Sequence, residues 1–462
     1  MEKPSLPSGT RDFGPEIMKK RKFVLTVMER VFRSHGFLPI ETPSLENLKT
    51  LQGKYGDEGD QLLFKVLNSG EYFSKIQPGN WPQNPSETNY KLMTAQIADR
   101  GLRYDLTVPL ARFVVMNRDK LAFPFKRYQM QPVWRADRPQ KGRYREFWQC
   151  DIDIVGSNSV VSEAELVECY QEVFAQLNLE VEIKINHRLI LDAFLPLLGG
   201  IEQWNSFMVA IDKFDKVGQD GVSQELIQRG LQHTISAWNR LCEIASLENT
   251  QQKLAALEQF EEIQNDSLNT GMKQVKELLN LLPNQENVVL DLRLARGLSY
   301  YTGAVFEVVA KDDRIPVEFK IGSIGGGGRY DNLTGVFGLK DVPGVGVSFG
   351  LDRILDTIDS FNGWEMTSDW SGVLICCMEE RFLSEATKLA RDLRGHQIIC
   401  EVYPGAPKLK KQLDYANAKG CKYALILGES EMNENKAMVK NLETGDQQLI
   451  SWTEIADNLI IA

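Results

Sequence analysis

Between Pro15 and Ser34 apolar residues fall at Ile17, Val24, Val27, Met28 and Val31 while Lys19, Lys20, Glu29 and Arg30 lie between them, a spacing that predicts a helix burying one stripe. Gly36 ends that helix, and residues 37–45, carrying Pro39 and Pro43, suit an edge or interface strand. Residues 68–100 are rich in Pro, Asn, Ser and Gly and read as a long loop or a small lid. From 125 to 156 two alternating stretches flank a polar turn, and helical spacing returns through Leu166, Tyr170, Val173 and Leu177. Between about 186 and 283, Gln, Glu and Leu dominate at helical spacing, which predicts a helical insertion. Strand patterns resume at 288–294 and 304–309, and a strand at 344–349 leads into a helix near Leu351. After a linker at 361–369, strands at 373–377, 398–402 and 423–427 alternate with helices at 381–393 and 408–419, the pattern of a small α/β domain.

The alternation over 125–156 also sorts the chemistry. In its second half, period 2 places Arg143, Arg145, Phe147, Gln149, Asp151 and Asp153 on one face and Tyr144, Trp148, Cys150, Ile152 and Ile154 on the other. In its first half Arg127, Gln129, Gln131, Val133 and Arg135 fall together, so that a hairpin would set arginines and acids on one polar wall. Guanidinium forks suit phosphate oxygens, and Gln149 with Asp153 suits a polar, partly cationic small molecule. A solvated, salt-bridged sheet face is the alternative.

Four shorter segments add candidates. Asp105 and Thr107 would share a side if extended and could hold an amino group; turn or cap chemistry before Pro109 is the competing reading. Arg296 with Tyr300 and Tyr301 flanks Gly297, suited to a carboxylate or phosphate and an imidazole, or to plain packing at a strand end. The run Gly325 to Gly328, followed by Arg329, Tyr330 and Asp331, permits close backbone approach to a ligand, or is a loose turn; it matches neither phosphate-loop pattern. Arg353, in the first turn of the 351 helix, could stack on adenine or meet a phosphate, or pair with Asp352.

Composition narrows the picture. The 63 acidic against 53 basic residues give a net charge of −10, so any RNA contact must use local basic patches; Lys408, Lys410, Lys411, Lys419 and Lys422 form such a stretch, or else a solvated helix face. The seven cysteines form no C-x-x-C pair, and the four histidines no H-E-x-x-H arrangement, so the spacing suggests neither a disulfide framework nor a protein metal site. With no apolar leader and no membrane-length run, a cytoplasmic location is expected, with neither membrane nor DNA as partner.

Taken together, these segments resemble the histidyl-tRNA synthetase family. The stretch 15–43 looks like class II motif 1, Arg135 to Asp153 like motif 2, and Gly344 to Arg353 like motif 3. Arg296–Tyr301 and Gly326–Tyr330 are similar to the two histidine-specific signatures, with Ser299 where the family more often has Asp. The resemblance implies an α+β fold: an antiparallel-sheet catalytic core (1–185 and 285–360) interrupted by a helical insertion (186–284), then an α/β anticodon-binding domain (371–462). It implies a homodimer formed through motif 1 that uses L-histidine, ATP with Mg2+, and tRNA(His). Position by position, it implies that Asp105 and Thr107 hold the histidine amino group and that Gln149, Asp153, Tyr300, Tyr301 and Tyr330 surround the substrate, Asp153 meeting the imidazole. Arg135 would contact the α-phosphate, Arg143, Arg145 and Arg353 the rest of ATP, and Arg296 both the histidine carboxylate and the α-phosphate. A synthetase-like regulatory subunit of histidine biosynthesis is the alternative; such paralogues generally lack the anticodon domain, and residues 373–462 stand against it.

Overall fold

The computed structural model describes residues 3–52, 62–76, 90–295, 301–319, 321–332, 334–364 and 372–461. Two compact units divide the chain, Met1–Trp364 and Glu365–Ala462.

In chain order the strands of the first unit are β1 (Leu38–Pro39), β2 (Leu45–Asn47), β3 (Lys65–Val66), β4 (Arg100–Leu102), β5 (Phe125–Trp134), β6 (Glu146–Val155), β7 (Val181–His187), β8 (Val288–Leu290), β9 (Ala304–Ala310), β10 (Gly325–Arg329) and β11 (Gly344–Gly350). Eight of them form one sheet in the order β1-β5-β6-β11-β10-β9-β7-β8; β2, β4 and β3 make a small separate one. The large sheet is antiparallel from β5 to β7, and the two flanking pairs, β1 with β5 and β7 with β8, are parallel. This is the α+β core expected from the sequence.

One face of that sheet is apolar because alternate residues of β6 and β11 are. Cys150, Ile152, Ile154, Val345, Val347 and Phe349 are buried there. The helix Pro15–Ser34 covers it through Val24, Val27, Met28, Val31 and Phe32, joined by the helix Val161–Gln176. Phe349 is the hub, its ring centroid 5.4 Å from Phe32, 4.5 Å from Tyr170 and 5.8 Å from Phe174. With this face filled by helices, the opposite face is left for chemistry.

Between β7 and β8 the chain is helical, from Arg188–Asp192 to Asp266–Leu281. Asn249 and Asn265 cap two of these helices, their side chains accepting from the amides of Gln252 and Leu268. These helices share one hydrophobic cluster with the sheet, from Phe207 and Trp238 to Ile183 and Leu290. The described residues of the 68–100 segment hold a 3₁₀ turn at Tyr72–Lys75 and a helix at Tyr90–Ile97.

The second unit has strands β12 (Val373–Cys377), β13 (Cys400–Val402), β14 (Tyr423–Leu427), β15 (Lys436–Asn441) and β16 (Gln447–Ser451), ordered β13-β12-β14-β15-β16. The first three are parallel with helices Leu383–Gly395 and Leu409–Lys419 between them, and β15 and β16 add an antiparallel edge. Buried Gln412 staples the second helix to β12, accepting from Cys377 N and donating to the carbonyls of Cys377 and Pro407. Lys408, Lys410 and Lys411 stand exposed at that end, whereas Lys419 pairs with Glu401 at 2.5 Å.

Candidate functional site

The register of the β5–β6 hairpin puts Arg127 opposite Asp153, Gln129 opposite Asp151 and Gln131 opposite Gln149. β11 continues the row, with Ser348 opposite Asp151 and Gly346 opposite Asp153. The polar wall is therefore continuous across three strands, and it is buried: Arg127 is 0% exposed, Gln129 1%, Asp151 3% and Asp153 2%.

Asp153 is held from two sides. Arg127 Nη2 lies 2.7 Å from its Oδ2 as a close ion pair, and the Tyr330 hydroxyl donates to its Oδ1. Burial pushes the Asp153 carboxyl above its usual range, and Arg127 opposes that shift. The carboxylate occupies space that only glycine opposite can provide, since a Cβ on Gly346 would stand 1.9 Å from Asp153 Oδ1. Tyr301, half-buried, lies against Gly328, where a Cβ would meet its ring at 2.8 Å; its carbonyl accepts from Arg188 Nη1 at 3.1 Å. The glycine run is thus neither a phosphate loop nor a loose turn: it is the buried strand β10, into which neighbouring side chains press.

The segment before the helix Thr107–Asn117 reaches the same wall. Arg103, fully buried, donates to Thr42 O at 2.6 Å, Pro132 O at 3.0 Å and Gln131 Oε1 at 3.0 Å, and burial pulls its pKa down to about 10. Asp105 and Thr107 are not side by side on an extended strand. Thr107 opens the helix and Asp105 Oδ1 accepts from Val108 N at 3.3 Å, because Pro109 is tolerated within a first helical turn. Asp105 is nonetheless close enough to Asp151 to raise its pKa.

The arginines divide. Arg135 donates from Nε to Tyr104 O at 2.9 Å, its guanidinium 5.2 Å from the Phe147 ring centre, and no carboxylate pairs with it among the described residues. Arg143 and Arg145 do not belong to the strand, which begins at Glu146. Arg143 is exposed in the connecting loop, while Arg145 donates to Asp137 O at 3.1 Å and Ser8 O at 3.4 Å, pinning the N-terminal segment. Arg353 donates to Gly142 O at 2.8 Å and Ser323 O at 2.6 Å rather than pairing with Asp352. Asp352 instead joins Arg11, Arg21 and the Trp148 amide at 2.5, 2.7 and 2.9 Å. Arg296 and Tyr300 lie outside the described residues.

The structure brings Gln149, Asp153 and Tyr330 to one wall. It adds Arg127, Gln129, Asp151 and Ser348, which sequence reasoning had either placed on a face without a role or passed over. Ser348 gives no signal in sequence, because its place depends on β11 pairing with β6. Several buried polar atoms of the wall lack a hydrogen-bond partner among the described residues: Gln129 Oε1, Gln149 Oε1, Asp151 Oδ1 and Arg127 Nε. Native interiors rarely leave such groups unpaired, and a polar ligand would satisfy them. Among the described residues no three His, Cys, Asp or Glu side chains cluster to hold a metal ion, and no helix is long and apolar enough to cross a membrane.

The family model for histidyl-tRNA synthetase matches residues 79–354, and that for the anticodon-binding domain residues 372–460. The chain is 47% identical over 460 residues to the histidine–tRNA ligase of Bacteroides fragilis strain YCH46, covering 98% of each. It is 45% identical over 466 residues to that of Cytophaga hutchinsonii, covering all of both. The crystal structure of histidyl-tRNA synthetase from Nostoc sp. PCC 7120 superposes with a TM-score of 0.79 at 27% identity over the whole of each chain. A Bacillus halodurans protein described as an ATP phosphoribosyltransferase regulatory subunit/histidyl-tRNA synthetase superposes at 0.68; at 22% identity over 89% of this chain and 97% of its own, it shares the fold.

Proposed function

The chain belongs to the histidyl-tRNA synthetase family, ligases that join histidine to tRNA at the expense of ATP, and from that premise we propose how its residues divide the work. Adenylation needs no enzyme nucleophile: the histidine carboxylate attacks the α-phosphorus, pyrophosphate leaves, and a terminal ribose hydroxyl of tRNA then attacks the adenylate. The protein's task is to align the reactants and to stabilise charge on phosphate oxygens.

In our reading the Asp153 carboxylate, set by Arg127 and Tyr330, meets the imidazole. Gln149, Tyr300, Tyr301, Asp105 and Thr107 enclose the rest of the amino acid. The observation that carries this is the buried, three-strand polar wall with Asp153 seated against Gly346, since so costly a buried carboxylate is kept where a partly cationic ligand completes it. Arg135, its Nε fixed by Tyr104 O, presents its terminal fork to the α-phosphate, and Arg296 joins the histidine carboxylate to the same phosphate. Arg143 and Arg353 serve the rest of ATP, Arg353 exchanging its carbonyl acceptors for phosphate when the nucleotide arrives; Arg145 supports the loop. Mg2+ keeps waters and phosphate oxygens as ligands and needs few protein groups, so in our reading it enters with ATP. The donor set of the described residues forms no cage for it.

Purified protein should catalyse ATP–pyrophosphate exchange with histidine alone among the twenty amino acids, no tRNA added. Exchange with another amino acid would overturn the Asp153 pocket, and none at all from folded protein would favour the regulatory alternative. The exposed lysines at 408, 410 and 411 suit the phosphates of tRNA(His). A cytoplasmic homodimer is also our reading: β1 is a two-residue edge strand on which Leu38 is 59% exposed, and Leu45 nearby is 44% exposed. Light scattering should give twice the chain mass, and Leu38→Glu should lower it toward the monomer.

A further inference from the structure

The wall contains a second carboxylate that the division of labour above does not use. Asp151 follows the same period as Asp153, is 3% exposed, and sits between Gln129 of β5 and Ser348 of β11. Ser348 stands opposite it and lowers its pKa, and Ser348 Oγ accepts from Gln149 Nε2 at 3.1 Å. Asp151 Oδ1 has no hydrogen-bond partner among the described residues. The neighbouring unpartnered side-chain atoms on β5 and β6 are mostly acceptors as well, Gln129 Oε1 and Gln149 Oε1, so the group that completes this part of the wall must bring N–H donors.

Charge points the same way. Asp105, Asp151 and Asp153 are all buried here, facing the guanidiniums of Arg127 and, further off, Arg103. Arg127 makes its close ion pair with Asp153, which also receives the Tyr330 hydroxyl, and acts on the Asp151 carboxylate only from further off; among the described residues Asp151 has no ion pair of its own. We propose that Asp151 is a second imidazole-reading group: with Asp153 it forms a two-carboxylate cradle that binds the histidine side chain with a proton on both ring nitrogens. This rests on the reading that the wall is the histidine pocket, and it adds a residue that sets specificity.

The consequence is a pH dependence of known sign. Burial raises the Asp151 pKa to about 7, Arg127 and Ser348 pulling it down and Asp153 and Asp105 pushing it up. A free imidazole titrates near about 6.5. The bound pair holds one proton beyond carboxylate plus neutral imidazole. Above pH 7 that proton must be taken from solvent, so the KM for histidine should climb, approaching about tenfold per pH unit between 7 and 8.5. Below about pH 6.5 both partners are protonated when free and binding must release one proton, so KM rises again.

The experiment is the histidine KM in pyrophosphate exchange from pH 6 to 8.5 for the full chain and for Asp151→Asn. The unmodified protein should show the minimum near pH 7, and the variant a raised KM that is flat on the alkaline side. Should Asp151→Asn not fold, Ser348→Ala keeps the carboxylate but removes the neighbouring hydroxyl that lowers its pKa, and the alkaline limb should move to higher pH. An alkaline slope unchanged in Asp151→Asn, or a limb unmoved in Ser348→Ala, would make Asp151 a structural partner of Ser348 and overturn the proposal. Failure of the underlying reading would look different, as exchange that histidine does not support at any pH.

Discussion

Gly346→Ala should cost roughly 100-fold in kcat/KM for histidine, although the alanine is the smallest possible addition and lies on a strand that pairs on both sides. A Cβ there would stand 1.9 Å from Asp153 Oδ1, 2.4 Å from its Cγ and 3.1 Å from Ile152 O. The backbone is fixed by β6 and β10, so the Asp153 side chain must yield, leaving the ion pair with Arg127 and the hydrogen bond from Tyr330. A shift near 1 Å in a group that positions a substrate is enough for a loss of that size. Overpacking should also lower stability, by about 1–3 kcal/mol. Steady-state exchange kinetics with histidine varied, beside a thermal melt, check both numbers. A variant with unchanged kcat/KM would mean that Asp153 has room elsewhere and that its present position does not matter to binding. Asp153→Asn in the same assay separates position from charge, because it keeps the shape beside Gly346 and removes the carboxylate.

Much of this arrangement is legible in the sequence. The alternation of Gln149, Asp151 and Asp153 with Cys150, Ile152 and Ile154 separates wall from core, because a strand buried on one face by helices must alternate. What sequence cannot supply is which strand lies opposite. Arg127 and Asp153 are 26 positions apart and meet only through the hairpin register, and Ser348, far along the chain, arrives on the adjacent strand β11. Arg143 and Arg145 continue the same alternation on paper, yet the pairing ends at Glu146, and Arg145 spends its donors on the loop carbonyls. β10 is the opposite case. Its glycines have little strand propensity of their own, and they are extended because β9 and β11 pair with them on either side. In the second unit the strand–helix alternation stops being readable after Leu427, since β15 and β16 are half-polar strands joined without a helix between them, and β16 lies at the sheet edge.

Arg135→Ala should lower kcat for adenylation by roughly 100- to 1,000-fold and change the KM for histidine much less. The reasoning begins with its anchoring. Nε donates to Tyr104 O, a carbonyl in the segment that Arg103 ties to Thr42, Gln131 and Pro132, so the guanidinium is oriented by backbone and not by a counter-ion. No carboxylate among the described residues neutralises it, and the Phe147 ring at 5.2 Å shields one side. A pre-oriented, unneutralised fork is worth most to the charge that gathers on phosphate oxygens during displacement, and less to the ground-state amino acid. Arg135→Lys should recover little of the loss, because an ammonium can neither keep the Tyr104 bond through Nε nor reach two oxygens at once. Single-turnover adenylate formation, with histidine and ATP varied in turn, decides the matter. A large rise in the histidine KM with kcat intact would place Arg135 in amino-acid binding, and full rescue by lysine would reduce its contribution to point charge alone.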